Sequence, residues 1–204
     1  MRPLTIEEFQ LEAESAYKTV FAGNNPYDEP FQPNIKHRML IYPFRLALNY
    51  QFNDPWLDPV VNAIKMMGED GFYLTAFGKP KPEDQKEPYD WYIPIKDAGN
   101  YKDLLYDREN AIYSVNGRWG IICSDEDHAL VGGPRELIDS IIQMVPDMDF
   151  RVNEFLEVWK YYYKRNHANI KWLPKMLFHI YEHEYAKKLL MDANLEWLLN
   201  NDAS

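Results

Sequence analysis

The sequence predicts a single α+β domain, in which a mixed, mainly antiparallel sheet is flanked by helices and followed by a helical C-terminal pair. Strand-like segments occur in one run in the middle of the chain, and helical patterns stand before and after that run. The 204 residues include 46% hydrophobic side chains, which suffices for one core. We therefore assign residues 1–204 to one domain, with a sheet-containing part over 1–148 and a helical part over 149–204.

The first elements are marked by capping and breaker residues. Thr5 and Glu8 have the spacing of a capping box, in which a hydroxyl and a carboxylate satisfy free N–H groups at the start of a helix. Pro43 lies inside an apolar stretch, and because a proline cannot donate to a sheet, that stretch is expected at a sheet edge. The patterns predict a helix over 5–22, an edge strand or two short strands over 37–51, and a helix over 55–67.

The central run is predicted as a sheet because it consists of short apolar or aromatic segments, and within one of them Tyr89, Trp91, Ile93 and Ile95 alternate with polar or neutral positions. Asn116-Gly117 joins two of its strands, and both residue types tolerate the positive φ of a type I′ turn. The segment from 111 to 123 is therefore predicted as a hairpin with a two-residue turn. We expect strands over 71–77, 89–95, 111–115, 118–123 and 128–131, a polar loop over 78–88 and a helical turn over 101–106.

Three helices are predicted after the sheet. Gly132-Gly133-Pro134 breaks the last strand and starts a helix, which Pro146 ends. Apolar residues then recur at three- and four-residue spacing up to a polar break at 166–169. The final stretch, over 173–199, is predicted as one long straight helix with an apolar stripe.

Composition and charge narrow the function classes. The formal net charge of -10 lowers the expectation of a nucleic-acid partner, because such proteins usually carry a basic surface. Cys123 is the single cysteine, so no internal disulfide can form, and its apolar neighbours place it in a buried strand. The N-terminus has no leader pattern, and the chain has no apolar stretch of about 18 residues. We expect an acidic, soluble, cytoplasmic protein with no membrane partner.

One motif predicts metal chemistry. His179-Ile180-Tyr181-Glu182-His183 has the H-x-x-E-H spacing found in some zinc proteases. Residues four apart share a helix face, so His179 and His183 could hold one Zn²⁺ while Glu182 acts as the base on metal-bound water. A third ligand is needed, and Glu196 would lie about 20 Å farther along a straight helix. A zinc-dependent hydrolase is the alternative function that this motif suggests.

Two loop motifs have both a structural and a ligand-binding interpretation. Asp125-Glu126-Asp127-His128 offers oxygens for a hard cation, although a polar surface turn also accounts for it. Gly132-Gly133-Pro134-Arg135 opens a helix whose free N–H groups could hold an anion, although the turn itself accounts for both glycines. The sequence has neither a G-x-S-x-G string nor a Cys-x-x-Cys pair. We predict no catalytic residues and no cofactor.

The strongest functional signal is a segment rich in aromatic and basic side chains. Residues 151–188 contain eight Lys or Arg and four Glu, a balance of +4, which leaves -14 for the rest of the chain. Four aromatics occur within residues 159–163, and because consecutive helical residues point about 100° apart, some of these rings must reach the surface. Exposed aromatics beside Arg are typical of protein interfaces. The candidate partner-binding residues are Trp159, Tyr161, Tyr162, Lys164 and Arg165.

Two other interpretations of that segment remain open. The rings could pack the helical pair on the sheet, with Lys stems along them, or they could stack on single-stranded bases. We favour a non-enzymatic protein-interaction domain that binds another protein or a second copy of itself as a homodimer, and nucleic acid is the disfavoured partner. Many toxin-neutralising (immunity) proteins are small, acidic α+β proteins, so toxin neutralisation is the specific role that this class suggests.

Overall fold

A seven-stranded antiparallel sheet forms the centre of the fold. The structure is a computed structural model that describes residues 1–43, 57–78, 88–104, 109–126, 128–145 and 147–200. The strands within these residues are β1 (Arg2–Pro3), β2 (His37–Ile41), β3 (Gly71–Ala76), β4 (Asp90–Pro94), β5 (Asn110–Ser114), β6 (Gly120–Cys123) and β7 (Ala129–Gly133). They lie in the order β1-β4-β3-β5-β6-β7-β2, and every pair is antiparallel. The predicted α+β class is confirmed.

Helices precede, interrupt and follow the sheet in the described part of the chain. They are α1 (Ile6–Glu8), α2 (Glu14–Val20), α3 (Leu57–Met66), α4 (Arg135–Met144), α5 (Met148–Lys164), α6 (Leu173–Ile180) and α7 (His183–Asp192). A π-helical segment and two 3-10 segments complete the helical set, at Phe9–Ala13, Ile95–Leu104 and Glu196–Asn200. None of the helices in the described ranges is both long and apolar enough to cross a membrane.

The predicted N-terminal helix is confirmed, together with its cap. The Glu8 backbone N–H donates to Thr5 Oγ1 at 3.2 Å, and the Thr5 N–H donates to Glu8 Oε2 at 2.8 Å. These two bonds satisfy donors that the first helical turn leaves free. The π-helical segment joins α1 to α2, so the helical stretch continues from Ile6 to Val20.

The sheet is covered by helices on both faces, because alternate residues of each strand point to opposite sides. One face carries Tyr113 and Leu130 and packs against α2, α5, α6 and α7. The other face carries Leu74 and Ile121 and packs against α3 and α4. Side chains from both faces are buried, so the domain has three layers with a core on either side of the sheet.

The hairpin between β5 and β6 forms where the sequence predicts it, but with a different turn. The Ser114 N–H donates to the Trp119 carbonyl at 3.0 Å, so the loop consists of residues 115–118. The Gly117 N–H donates to the Ser114 carbonyl at 3.1 Å, and Gly117 alone in this loop has a positive φ, 65°. The predicted two-residue type I′ turn is therefore wrong, since that turn needs positive φ at both central residues.

The edge position of the segment around Pro43 is confirmed only in its first part. β2 lies at the end of the strand order and pairs with β7. Residues 44–51 of the predicted strand and 79–87 of the predicted polar loop lie outside the described residues. The helical turn predicted over 101–106 begins earlier, since the 3-10 segment starts at Ile95, and residues 105–108 also lie outside.

The single straight helix predicted over 173–199 is wrong. α6 ends at Ile180, Tyr181 adopts an extended backbone with ψ 162°, and α7 begins at His183. The break coincides with a tertiary contact, because the Leu40 N–H of edge strand β2 donates to Tyr181 Oη at 3.3 Å. A buried N–H of the edge strand thus gains a partner that a continuous helix would not present to it.

Candidate functional site

A cavity of about 520 Å³ opens between the loop after α2, the β6–β7 turn, the second half of α5 and the start of α6. Aromatic rings form part of its wall and polar side chains form the remainder. The lining residues are Asn25, Tyr27, Asp28, Glu126, Trp159, Ala168, Asn169, Trp172 and Lys175. We call this space the aromatic cavity.

Three rings of the aromatic cavity stand nearly perpendicular to one another. The Tyr27 and Trp172 ring centroids are 4.9 Å apart with planes at 77°, and Trp159 and Trp172 are 5.0 Å apart at 89°. Tyr27 and Trp159 are 6.1 Å apart at 84°. Such edge-to-face contacts are the geometry that aromatic quadrupoles favour. The three rings therefore form a corner rather than a flat stack.

Hydrogen bonds fix the two half-buried rings of this corner. The Trp172 indole N–H donates to the Asn169 carbonyl at 2.9 Å, across the start of α6. The Tyr27 hydroxyl donates to Asp125 Oδ1 at 3.1 Å. Burial and the nearby Asp125 carboxylate raise the pKa of Tyr27, so its hydroxyl keeps its proton at neutral pH.

His128 lies directly behind the rings and is completely buried. Its ring contacts Tyr27 at 5.1 Å and Phe155 at 5.2 Å and stacks on Trp172 at 6.2 Å. Nδ1 lies 2.8 Å from Ser124 Oγ, and Nε2 lies 3.4 Å from the Pro26 carbonyl. The Pro26 carbonyl can only accept, so Nε2 carries the proton of the neutral ring, and the Ser124 hydroxyl also lies 3.0 Å from the His128 carbonyl.

The Ser124–His128 contact supports the turn between β6 and β7 and not an activated nucleophile. Ser124 Oγ accepts from the N–H groups of Glu126 and His128, at 3.1 and 3.2 Å. Burial lowers the pKa of His128 to about 4, and the ring has no exposed surface from which to serve a substrate. Of the acidic string that follows Ser124, Asp127 lies outside the described residues.

Charged groups surround the mouth of the aromatic cavity. Lys175 Nζ lies 2.6 Å from Asp28 Oδ1, and this contact lowers the pKa of Asp28 and raises that of Lys175. Farther back, burial and the Asp125 carboxylate raise the pKa of Glu109 to about 7. The acidic groups and the single Lys of the cavity wall thus leave it with a formal charge of -1, from Asp28, Glu126 and Lys175.

The candidate partner-binding residues, which fall within 159–165, lie at the C-terminal end of α5 and directly after it. Tyr161, Tyr162 and Tyr163 are 52%, 39% and 40% exposed, whereas Trp159 is only 7% exposed. The expectation that some of these four rings reach the surface is therefore confirmed. Trp159 instead points to the core side, where it forms a wall of the aromatic cavity.

The exposed end of α5 is an ordered surface. The Arg165 guanidinium lies over the Tyr161 ring, 4.8 Å from its centroid, and the Tyr161 and Tyr162 rings meet at 5.9 Å. Asn166 follows the helix with φ 56°, a left-handed residue of the kind that ends many helices. Tyr162 also contacts Trp159, with centroids 6.2 Å apart, so this surface adjoins the aromatic cavity.

The H-x-x-E-H string does not lie on one helix, so the premise of the metal-site prediction is wrong. His179 belongs to α6, whereas Glu182 caps α7 and His183 begins it. His183 is exposed, stacks on Phe178 at 4.6 Å and lies 3.3 Å from Glu184. Among the described residues, no group of three His, Cys, Asp or Glu side chains is arranged to hold a metal ion.

His179 has both ring nitrogens next to N–H donors. The Phe31 N–H donates to Nε2 at 3.2 Å, and Arg38 Nη1 lies 3.0 Å from Nδ1 while donating to the His179 carbonyl at 2.6 Å. Burial and the Arg38 charge lower the pKa of His179 to about 4. The ring is therefore neutral at neutral pH and is used to join the Phe31 loop to α6.

The Gly-Gly-Pro string before α4 is explained by close packing. A Cβ on Gly132 would lie 2.7 Å from Ile35 Cγ2, and one on Gly133 would lie 2.7 Å from Trp119 Cβ. Pro134 is the N-cap of α4 and has an extended backbone. The two glycines allow Ile35 and Trp119 to approach the β7 backbone, which accounts for them without a bound anion.

Comparison with known proteins identifies no relative of this chain. No protein-family model matches the chain, and neither a curated protein nor a solved structure matches it.

Proposed function

We propose that this protein is a non-enzymatic domain that binds another protein through the exposed end of α5. We call this region, formed by Tyr161, Tyr162, Lys164 and Arg165, the α5 end surface. The observation that carries the proposal is the exposure of consecutive tyrosines beside an Arg that lies over one of their rings. Tyr and Arg are the side chains that most often dominate binding energy at interfaces.

The charges on this surface favour an acidic partner. Lys164 and Arg165 are exposed, as is Lys171 in the loop that follows α5, and none of the three takes part in the ion pairs of the described residues. Residues 151–188 carry +4 against -14 elsewhere in the chain. Complementary charge accelerates association and selects among partners, so we expect the partner to present carboxylates to this surface.

The state of two histidines, the buried His128 and the half-buried His179, supports binding over catalysis. His128 has no exposed surface, and His179 is held between a backbone N–H and a guanidinium. The zinc-hydrolase alternative depended on His179 and His183 sharing one helix face, and these residues lie on two different helices. Toxin neutralisation remains a prediction from the class of protein, and a second copy of the chain is an outcome of the test below.

The test compares capture of proteins by the wild-type domain and by a double variant, Tyr161→Ala with Tyr162→Ala. A protein captured by the wild type is purified and its affinity is measured by calorimetry. We expect the double variant to bind it at least about tenfold more weakly, because exposed aromatic anchors contribute on the order of 1–2 kcal/mol each. The melting temperature should stay within a few degrees of the wild type, as for other surface changes.

Phe150→Ala is the matched control, because Phe150 is 67% exposed on the same helix but lies at its other end. It should leave the affinity unchanged. Sedimentation velocity of the wild type alone identifies self-association, which would assign a second copy as the partner if the double variant abolished it. Equal affinity of wild type and double variant for every captured protein would refute the proposal.

A further inference from the structure

We propose that the aromatic cavity binds an organic cation of quaternary-ammonium type. Tyr27, Trp159 and Trp172 form a corner of three nearly perpendicular rings, and all three line one open cavity. The face of an aromatic ring carries negative potential, which attracts a cation that has given up its water. Trp and Tyr are the most effective rings for this contact. This inference does not depend on the proposed function, because the α5 end surface lies outside the cavity.

The electrostatics of the wall favour a positive ligand. Asp28 and Glu126 line the cavity, and Asp125 lies one hydrogen bond behind Tyr27. Lys175 is the single cation of the wall, and its ammonium is already paired with Asp28 at 2.6 Å. A cation in the cavity therefore meets aromatic lining residues and a wall of formal charge -1.

Three donors that could serve an anion in this cavity already have partners. The Trp172 indole N–H donates to the Asn169 carbonyl, and the Tyr27 hydroxyl donates to Asp125. Lys175 would have to leave Asp28 before it could bind an anion. Since an anion site depends on free N–H or O–H groups, these contacts select against a phosphate or carboxylate ligand.

The corner is formed before any ligand binds. Phe155 contacts both indoles from behind, at 6.3 Å each, and the His128 ring stacks on Trp172. Phe155 and His128 are both fully buried, which holds the rings in place. Preorganised rings reduce the entropy lost on binding. A volume of about 520 Å³ is within the range of small-molecule sites.

The experiment is a titration of the full chain with choline, followed by tryptophan fluorescence and calorimetry. Its matched control ligand is 3,3-dimethylbutan-1-ol, in which carbon replaces the positive nitrogen at the same shape. We expect choline to saturate a single site and the neutral alcohol to bind at least about tenfold more weakly, as the loss of a cation–ring contact predicts. Equal affinity for the two ligands, or no saturable binding of choline, would overturn the proposal.

Two variants locate the site without relying on a core residue. Trp172→Leu removes a half-buried ring and should weaken choline binding at least about tenfold. Asp28→Asn alters a surface carboxylate and leaves Lys175 unpaired, so choline affinity should fall while the melting curve stays the same. Tyr161 lies outside the cavity, so Tyr161→Ala should leave choline binding unchanged. This variant therefore separates the choline test from the test of the proposed function. Unchanged choline affinity in both cavity variants would contradict the assignment.

A peptide arm distinguishes the source of the cation. The wild type is titrated with a short peptide that carries trimethyl-lysine and with the same peptide unmethylated. Tighter binding of the trimethylated peptide than of both choline and the unmethylated peptide supports the proposal and assigns the cation to a protein side chain. Tighter binding of choline supports the proposal and assigns it to a small molecule. Equal binding of the methylated and unmethylated peptides, together with equal binding of choline and its neutral analogue, would exclude a cation site.

Discussion

Replacing His128 with Asn is expected to remove part of the acid sensitivity of this protein. The free energy of unfolding of the wild type should fall by about 2 kcal/mol more than that of His128→Asn between about pH 7.5 and pH 5. The variant is expected to be the less stable protein at the upper pH, because it loses the ring packed against Tyr27, Phe155 and Trp172. The gap between the two proteins should then narrow as the pH falls.

The sign follows from the pKa of His128 in the folded state. Burial lowers that pKa from 6.5 to about 4, so the unfolded chain binds a proton at a pH where the folded chain does not. The titration of His128 therefore does not change the free energy of unfolding above about pH 6.5. As the pH falls from there towards 4, this titration lowers that free energy progressively.

The difference in unfolding free energy between the wild type and His128→Asn separates the effect of His128 from the effects of other titrating groups. His179, whose pKa is also lowered to about 4, destabilises the fold in the same pH window. Glu109 acts in the opposite direction, because its pKa of about 7 makes the folded state bind a proton first and gain stability as the pH falls. Both groups are present in each protein and cancel in the comparison. Parallel stability curves, measured by urea unfolding at several pH values, would contradict the burial of a neutral His128.

Replacing Phe155 with Ala is expected to cost about 3–5 kcal/mol of stability, the largest effect among the changes considered for this protein. Phe155 is fully buried, and its ring contacts Tyr42, His128, Trp159 and Trp172. Removing the ring leaves a void between α5 and the sheet that these rigid neighbours cannot fill by small rotations. Urea unfolding of the purified variant measures the loss.

Phe150→Ala supplies the comparison on the same helix. Phe150 is 67% exposed, so the same chemical change there should alter stability by less than about 0.5 kcal/mol. A similar loss for both variants would mean that Phe155 is not the centre of the packing behind the aromatic cavity. A loss confined to Phe155→Ala, accompanied by weaker choline binding, would link the packing of α5 to the shape of the cavity.

The layered fold could largely be predicted from the sequence because its local signals agree with its packing. Thr5 and Glu8 form the predicted capping box, and the hairpin predicted over 111–123 forms paired strands. The errors arise where tertiary contacts override local pattern. The predicted helix over 173–199 is interrupted at Tyr181, although neither Gly nor Pro stands beside that residue. The cause is tertiary, because the Tyr181 hydroxyl accepts a hydrogen bond from edge strand β2.

The candidate site was only partly predictable. Exposure of Tyr161 and Tyr162 follows from helical geometry, since adjacent residues of a helix cannot all face one core. The aromatic cavity does not follow, because Tyr27, Trp159 and Trp172 come from three separate segments. Tyr27 lies in a proline-rich loop and Trp172 in the short break before α6, so neither belongs to a periodic pattern that would mark it.

The most direct test of the α5 end surface is a hydroxyl-radical footprint of the domain with and without its captured acidic partner. We expect a several-fold loss of modification at Tyr161 and Tyr162 in the complex, while Phe150 at the other end of α5 is modified equally in both samples. Unchanged modification of both tyrosines in a complex formed at saturating partner would contradict the claim that this surface binds the partner.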